Sequence, residues 1–317
     1  MRKLLYAVVA LMAVALLGAS VYMMNFSLRA DARHTDVDNA WGQLYQRVPD
    51  MQPWVDSLLA EGLLRDTFVV MPTGERHHAL FLRADSAHGR TAVVVHGYKD
   101  SCVKFLYLGR MYHRDLGYNL LMPDLHGHGL SEGNDIQMGW KDRLDVMRWT
   151  EVAEQLFRDS LAPSRVVVHG VSMGAATTMC VSGEKDGAAP FIKCYVEDCG
   201  YTSVWDEFRL QLKEQFSLPA FPLLYTTSLL NRLVHGWWFG EASPIRQVAR
   251  CHRPMLFIHG DADTFVPYWM MDSLYAAKPC PKEKWTAPGI THARAYQDCP
   301  DVYTEKVRAF LESLPPR

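Results

Sequence analysis

The chain has 317 residues, of which 49% are hydrophobic and 21% charged, a composition that excludes a disordered, collagen-like or polytopic membrane protein. Its 33 Lys and Arg against 35 Asp and Glu leave a formal net charge of −2 with no long basic run, which argues against nucleic acid as the main partner. Seven cysteines show neither a paired C-x-x-C nor metal-ligand spacing, so neither a zinc site nor a dense disulfide scaffold is expected.

In chain order, the first element is apolar on every face. No charged residue stands between Lys3 and Arg29, and Leu4 to Met24 is almost wholly hydrophobic, close to the ~20 residues a helix needs to cross a bilayer. The run outlasts the ~7–15 apolar residues of a cleavable signal. Leu17-Gly18-Ala19-Ser20 offers small residues for cleavage, yet Val21 to Met24 keep the hydrophobic run going. The expectation is therefore an uncleaved signal anchor over residues 1–28, with secretion after cleavage as the alternative. Arg2 and Lys3 precede it, and Arg29 and Arg33 follow among Asp31 and Asp36, a weak bias that puts the N-terminus in the cytoplasm and the main domain outside.

Asp38 to Leu64 reads as amphipathic helix broken by Pro49 and Pro53, within a helical connector over 29–65. Thr67–Met71 and His78–Leu82 flank Pro72-Thr73-Gly74-Glu75 as a hairpin. Buried apolar runs then alternate with helix-length stretches: Thr91–Val95, Tyr118–Met122, Arg165–Val168, Ile192–Val196, Met255–Ile258 and a weaker Lys284–Thr286. Continuous hydrophobic strands separated by helices predict an α/β fold whose mostly parallel sheet is covered on both faces. From Gly200 to about Arg250 the pattern is helical without a strand, which predicts a small helical cap; the alternative is a crossover helix with a long loop. A last helix is expected over Val302–Leu314.

The chemistry concentrates at strand ends. Gly170-Val171-Ser172-Met173-Gly174 lies between a buried strand and a helix-compatible run, the context a nucleophile elbow requires. Such a turn lifts the Ser172 hydroxyl above the sheet and aims the Met173 amide at the site. A serine needs a base, and the base an orienting carboxylate. His259-Gly260-Asp261-Ala262-Asp263 follows one strand and Gly289-Ile290-Thr291-His292 the last, giving the order Ser172, Asp263, His292. Asp261 competes as the acid, as do Glu197 and Asp198 at the end of their strand.

From Thr67 to the C-terminus the sequence resembles serine hydrolases of the α/β-hydrolase family, an esterase- or lipase-like, uncharacterised bacterial envelope branch that carries no known substrate with it. The resemblance implies a hydrolase domain over 66–317 with its cap at about 200–250, and H-G-x-x-D-x-x-V-P places the acid on Asp263. Val95-His96-Gly97-Tyr98 resembles the family's oxyanion loop, implying that the backbone N–H of Tyr98 pairs with that of Met173. Asp124 to Gly133 resembles its D-x-x-G-H-G-x-S-x-G loop, with His126 where arginine often stands; His126 and His128 are then turn and wall residues. The implied activity is carboxylic ester hydrolysis through an acyl-enzyme on a small-molecule ester or acyl substrate, with neither metal nor organic cofactor. Peptidase, amidase and thioesterase chemistry share the same triad, and a catalytically silent binding protein on this fold is the alternative from another class. The leucines and aromatics of the cap suit an apolar acyl or alcohol group, or simply pack it onto the core. If the domain is extracytoplasmic, Cys280 and Cys299, which bracket the His292 loop, are the candidate disulfide.

Overall fold

The valine-rich runs become the middle of an eight-stranded sheet because they have no polar side to show to water. In the computed structural model, which describes residues 1–31, 36–85, 87–184 and 189–314, the strands are β1 (Arg65–Val70), β2 (Arg76–Leu82), β3 (Arg90–Val95), β4 (Asn119–Pro123), β5 (Arg165–Val171), β6 (Ile192–Asp198), β7 (Met255–Gly260) and β8 (Lys282–Ala287). They lie in the order β1-β2-β4-β3-β5-β6-β7-β8. The β1–β2 hairpin is antiparallel and joins β4 antiparallel, while β4, β3 and β5 to β8 run parallel. The predicted strands are all present; β5, β6 and β7 run two or three residues further, into functional residues, and β4 is shifted by one.

Alternation along β3 divides the core. Val93 and Val95 pack into one cluster with Val166, Val168, Trp149 and the cap, while Ala92 and Val94 pack into the other with Val167, Leu106, Tyr303 and Phe310. One face is covered by α5 (Asp142–Phe157), α6 (Met173–Ser182) and α10 (Trp269–Ala277). The other carries α2 (Val37–Arg47), α3 (Met51–Ala60), α4 (Leu106–Arg110), the short α11 (Ala295–Asp298) and α12 (Pro300–Ser313). The connector helix is split at Pro49, one of the two expected breaks, whereas Pro53 sits in the first turn of α3, where its missing N–H costs no intrahelical bond. Between β6 and β7 stand α7 (Val204–Phe216), α8 (Leu223–His235) and α9 (Pro244–Val248) with no strand among them, which is the small helical cap.

The apolar N-terminal run forms α1 (Arg2–Leu28), a helix long and hydrophobic enough to cross a membrane. Its second half is not freestanding. Leu16, Ala19, Ser20, Met23, Met24 and Leu28 recur at helical spacing and pack on the main core. Ser20 Oγ lies 2.7 Å from Thr226 Oγ1 of α8. Arg33, one of the flanking charges counted above, lies outside the described residues.

The proposed Cys280–Cys299 bridge is not formed, and both residues are free thiols. Cys280 precedes β8 and Cys299 opens α12 past its far end, so a strand of six residues, ~20 Å long, lies between them. Bracketing the His292 loop in sequence does not bring them together in space. Thiol titration of the denatured, unreduced chain with Ellman's reagent is expected to return all seven thiols; five would mean that one bridge exists.

Candidate active site

Ser172 sits between β5 and α6 with φ 57° and ψ −117°, a backbone conformation that costs an L-residue roughly 1–3 kcal/mol. The two glycines of the motif make the turn possible. A Cβ on Gly170 would stand 2.0 Å from the carbonyl oxygen of Gly174, and one on Gly174 would stand 2.2 Å from that of Val95. The Ser172 N–H donates to Asp198 O at 2.8 Å, and its own carbonyl accepts from Ala176 in the first turn of α6. Met173 opens α6, so its amide is one of the N–H groups a helix start leaves without an intrahelical partner.

Three of the predicted residues meet there. Ser172 Oγ is 2.8 Å from His292 Nε2, and His292 Nδ1 is 2.7 Å from Asp263 Oδ2. With the imidazole proton on Nδ1, the ring donates to Asp263 and its Nε2 accepts from the serine hydroxyl. Asp263 Oδ1 accepts the amides of Phe265 and Val266 at 2.9 and 3.0 Å, and His259 Nε2 approaches Oδ2 at 3.2 Å. Burial alone would raise the Asp263 carboxyl, but hydrogen bonds from His259 and His292 outweigh it and bring it down to about 2. The Phe265 ring stands 5.0 Å from the His292 ring. His259 was not singled out in the sequence; its nearest signal is its place at the end of β7, four residues before Asp263.

The rival acids are engaged elsewhere. Asp261 is exposed and accepts the Gly289 amide at 2.6 Å. Glu197 accepts the Gly200 amide, and burial pushes its carboxyl up to about 8. Asp198 takes the Tyr303 hydroxyl at 3.0 Å, whose oxygen lies 2.9 Å from His169. Cys199 lies close to Asp263 and His292, but burial holds its thiol well above the usual range and therefore protonated.

The loop after β3 closes the other side. A Cβ on Gly97 would stand 3.6 Å from Ser172 Cβ, so Tyr98 follows at the edge of the elbow. Three histidines and one aspartate hold this loop. His96 Nδ1 lies 2.8 Å from Gly97 O, and its Nε2 accepts the Leu125 amide. His128 Nε2 accepts the Lys99 amide while its Nδ1 donates to His126 O, so it braces the loop and does not line the cavity. Asp124 is buried and accepts the amides of Cys102 and Leu130 and the His78 ring at 2.7 Å. Burial would raise Asp124, but His78 brings its pKa below the ordinary carboxylate range.

Above Ser172 lies a cavity of about 220 Å³. Its wall is mainly apolar and comes from the cap (Phe208, Leu212, Leu224), from Tyr98 and Met173, and from Met23 and Phe26 of α1. Glu207, the one carboxylate among the described residues that line it, is raised to about 8 by burial, so below that pH it presents a neutral acid. Away from the cavity, on the β2–β4 side of the sheet, Glu75, His77 and His126 place three possible ligand atoms within 4.8 Å of one another.

The chain matches the Alpha/beta hydrolase family over residues 92–308. It is 28% identical over 226 residues to the uncharacterised protein YqkD of Bacillus subtilis (strain 168), covering 71% of this chain and 72% of that one. Among solved structures, the Pyrococcus furiosus esterase Pf2001 superposes with a TM-score of 0.63 at 20% identity, over 81% of this chain and 95% of the esterase. Pyrococcus horikoshii acylaminoacyl peptidase superposes with a TM-score of 0.57 at 15% identity, over 79% of this chain but 41% of the peptidase. Both superpositions speak for the shared fold.

Replacing Asp124 by Asn leaves a buried His78 without its main counter-charge, and the expected loss is about 3–5 kcal/mol of stability. Urea denaturation in detergent micelles would measure it; a loss under about 1 kcal/mol would show that Asp124 is not what holds the loop after β3.

Proposed function

Because the chain belongs to the α/β-hydrolase family, we propose that it is a serine hydrolase that cleaves carboxylic esters through an acyl-enzyme on Ser172. The observation that carries this reading is the hydrogen-bonded row Ser172–His292–Asp263 on a strained elbow beneath an apolar cavity. His292 accepts the Ser172 proton as the hydroxyl oxygen attacks the acyl carbonyl, and later gives it to the leaving alcohol. Asp263, held ionised, fixes the imidazole tautomer and stabilises the imidazolium. The developing oxyanion is met by the backbone N–H groups of Tyr98 and Met173, where one donor is worth roughly 10²–10³ in rate. Water activated by the same histidine then releases the acid. The cycle uses Ser172, His292, Asp263, two backbone N–H groups and water, so the reading routes no step through a metal or organic cofactor.

The cavity favours an ester over a peptide. A peptide end needs a charged anchor; among the described lining residues, Glu207 is a neutral acid at pH 7 and the Lys99 ammonium is engaged by Phe26 O and the Tyr98 ring. A hydroxyl or carbonyl group suits it better than an ammonium. Residues 1–28 anchor the protein and 66–317 form the hydrolase unit, joined by the connector over 29–65, with the catalytic domain outside the cytoplasm.

The test uses the full chain in detergent with a fluorophosphonate probe and p-nitrophenyl esters of increasing acyl length. The native chain is expected to label and turn over. Ser172→Ala should lose labelling and about 10⁶ in kcat, whereas Asp263→Asn should label slowly and lose about 10⁴. A folded native chain that neither labels nor hydrolyses any ester would favour the silent binding protein, and faster cleavage of peptide anilides than of esters would favour the peptidase.

A further inference from the structure

Two helices flank the cavity and both leave an apolar side in solvent. Along α1 every residue from Arg2 to Ala15 is exposed, and beyond it Leu17, Val21 and Tyr22 stay exposed on the side turned away from the cap. Along α8 and the turn before it, Phe221, Tyr225, Leu229 and Leu233 recur every fourth residue and are 73%, 54%, 47% and 75% exposed. Four large apolar side chains on one helical face form a patch that a soluble surface rarely shows. No charged residue stands between Glu214 and Arg232, so the α7–α8 turn and most of α8 can leave water without stranding a charge.

The register of the two helices links that patch to a bilayer. Ser20 meets Thr226, and further along Arg29 bridges to Asp135, which faces His235 at 3.3 Å. α8 therefore runs parallel to α1, its uncharged start towards the N-terminal end of α1 and Arg232 and His235 towards the catalytic domain. The 14 free residues Arg2–Ala15 amount to ~21 Å of helix, whereas a hydrocarbon core is ~30 Å thick. An α1 that spans the bilayer must use residues beyond Leu16, which already lie against the cap. The start of α8 is then below the membrane surface.

We propose that the exposed face of α8 is seated in the lipid bilayer beside α1, and that the substrate is an acyl ester of a membrane lipid, drawn sideways from the bilayer between the two helices. The same helices supply the way in: Met23, Phe26 and Ser27 of α1 and Leu223, Leu224 and Thr227 of α8 line the cavity that reaches Ser172. An acyl chain leaving the bilayer there meets a mainly apolar wall, so most of its methylenes move without the cost of being hydrated. The substrate half of this proposal rests on the ester-hydrolase reading; the docking half does not.

The experiment reconstitutes the full chain in phosphatidylcholine vesicles and keeps the two halves apart. For docking, Leu229→Trp places an indole on the proposed lipid face. Its added emission, measured as the difference from the native chain, is expected to fall by about half or more when the lipid carries 9,10-dibromostearoyl chains, as a side chain in the hydrocarbon region must. Equal emission in brominated and plain vesicles would overturn the docking whatever the enzyme does. For delivery, 4-methylumbelliferyl oleate dissolved in the vesicles is compared with water-soluble p-nitrophenyl acetate. The double variant Leu229→Glu, Leu233→Glu lies off the cavity wall and should hydrolyse the oleate roughly tenfold more slowly, given the cost of carboxylates in lipid, with the acetate within about twofold of native. An unchanged oleate rate would overturn lateral delivery. If both rates fell together, the milder Leu229→Ser, Leu233→Ser pair would decide by the same comparison. A native chain that hydrolyses neither ester would refute the ester-hydrolase reading and leave the quenching result standing.

Discussion

The backbone of Ser172 is the constraint on which the site depends. Its positive φ is unfavourable for any residue with a Cβ, so something outside the turn must hold it. That something is the sheet. β5 lies between β3 and β6, Gly170 and Gly174 let the chain pass over itself and under Val95, and the Ser172 amide is fastened to Asp198 at the end of β6. A side chain on either glycine would collide with backbone, which cannot rotate away. The strain is therefore maintained by buried strands at the centre of the sheet, and it points a hydroxyl out of the core at the edge where loops reach it.

Electrostatics at that edge are sorted by burial and partners. Asp263 is surrounded by two amides and two imidazoles, enough donors to keep a buried carboxylate charged. Glu197 and Glu207 have one donor each, from Gly200 and Gln211, and desolvation wins, so both lean neutral. His169 lies between two tyrosine hydroxyls with no carboxylate on its ring, and burial drives it down to about 3, so it is a neutral bridge in the core. One negative charge stands behind His292, and the other acids around it are either protonated or bound elsewhere. A proton taken up by His292 would meet an unambiguous partner in Asp263.

Much of this is legible in the amino-acid sequence. Val93–Val95 and Val166–Val168 announce buried strands because they lack a polar alternation, and Gly-x-Ser-x-Gly after such a strand is intelligible as a turn that needs both glycines. Asp263 could be preferred over Asp261 only through the family resemblance, since two aspartates two residues apart are equivalent to any local rule. His259 escaped notice because a histidine ending an apolar strand reads as packing until the fold turns Asp263 back onto it. The contact stripe of α1 was invisible for a different reason. When a helix is apolar on every side, the face meant for protein and the face meant for lipid have the same chemistry, and periodicity carries no information. Only the partners on α8 distinguish Leu16, Ser20 and Met23 from Leu17, Val21 and Tyr22.

The same helix reaches the loop after β3 by its other end. A helix C-terminus leaves carbonyls without intrahelical donors, and two of those on α1 are taken by the residues just after the β3 turn. The Tyr98 hydroxyl donates to Ser27 O at 2.6 Å, and Lys99 Nζ to Phe26 O at 3.4 Å. Burial raises the Tyr98 phenol, so its proton stays available for that bond. Tyr98 thus has its backbone beside Ser172 and its side chain on the last turn of the apolar helix. Whatever fixes α1 also fixes one wall of the cavity and one side of the loop expected to hold the oxyanion. An N-terminal segment that sequence analysis separates as an anchor is, by its contacts, structurally continuous with the site.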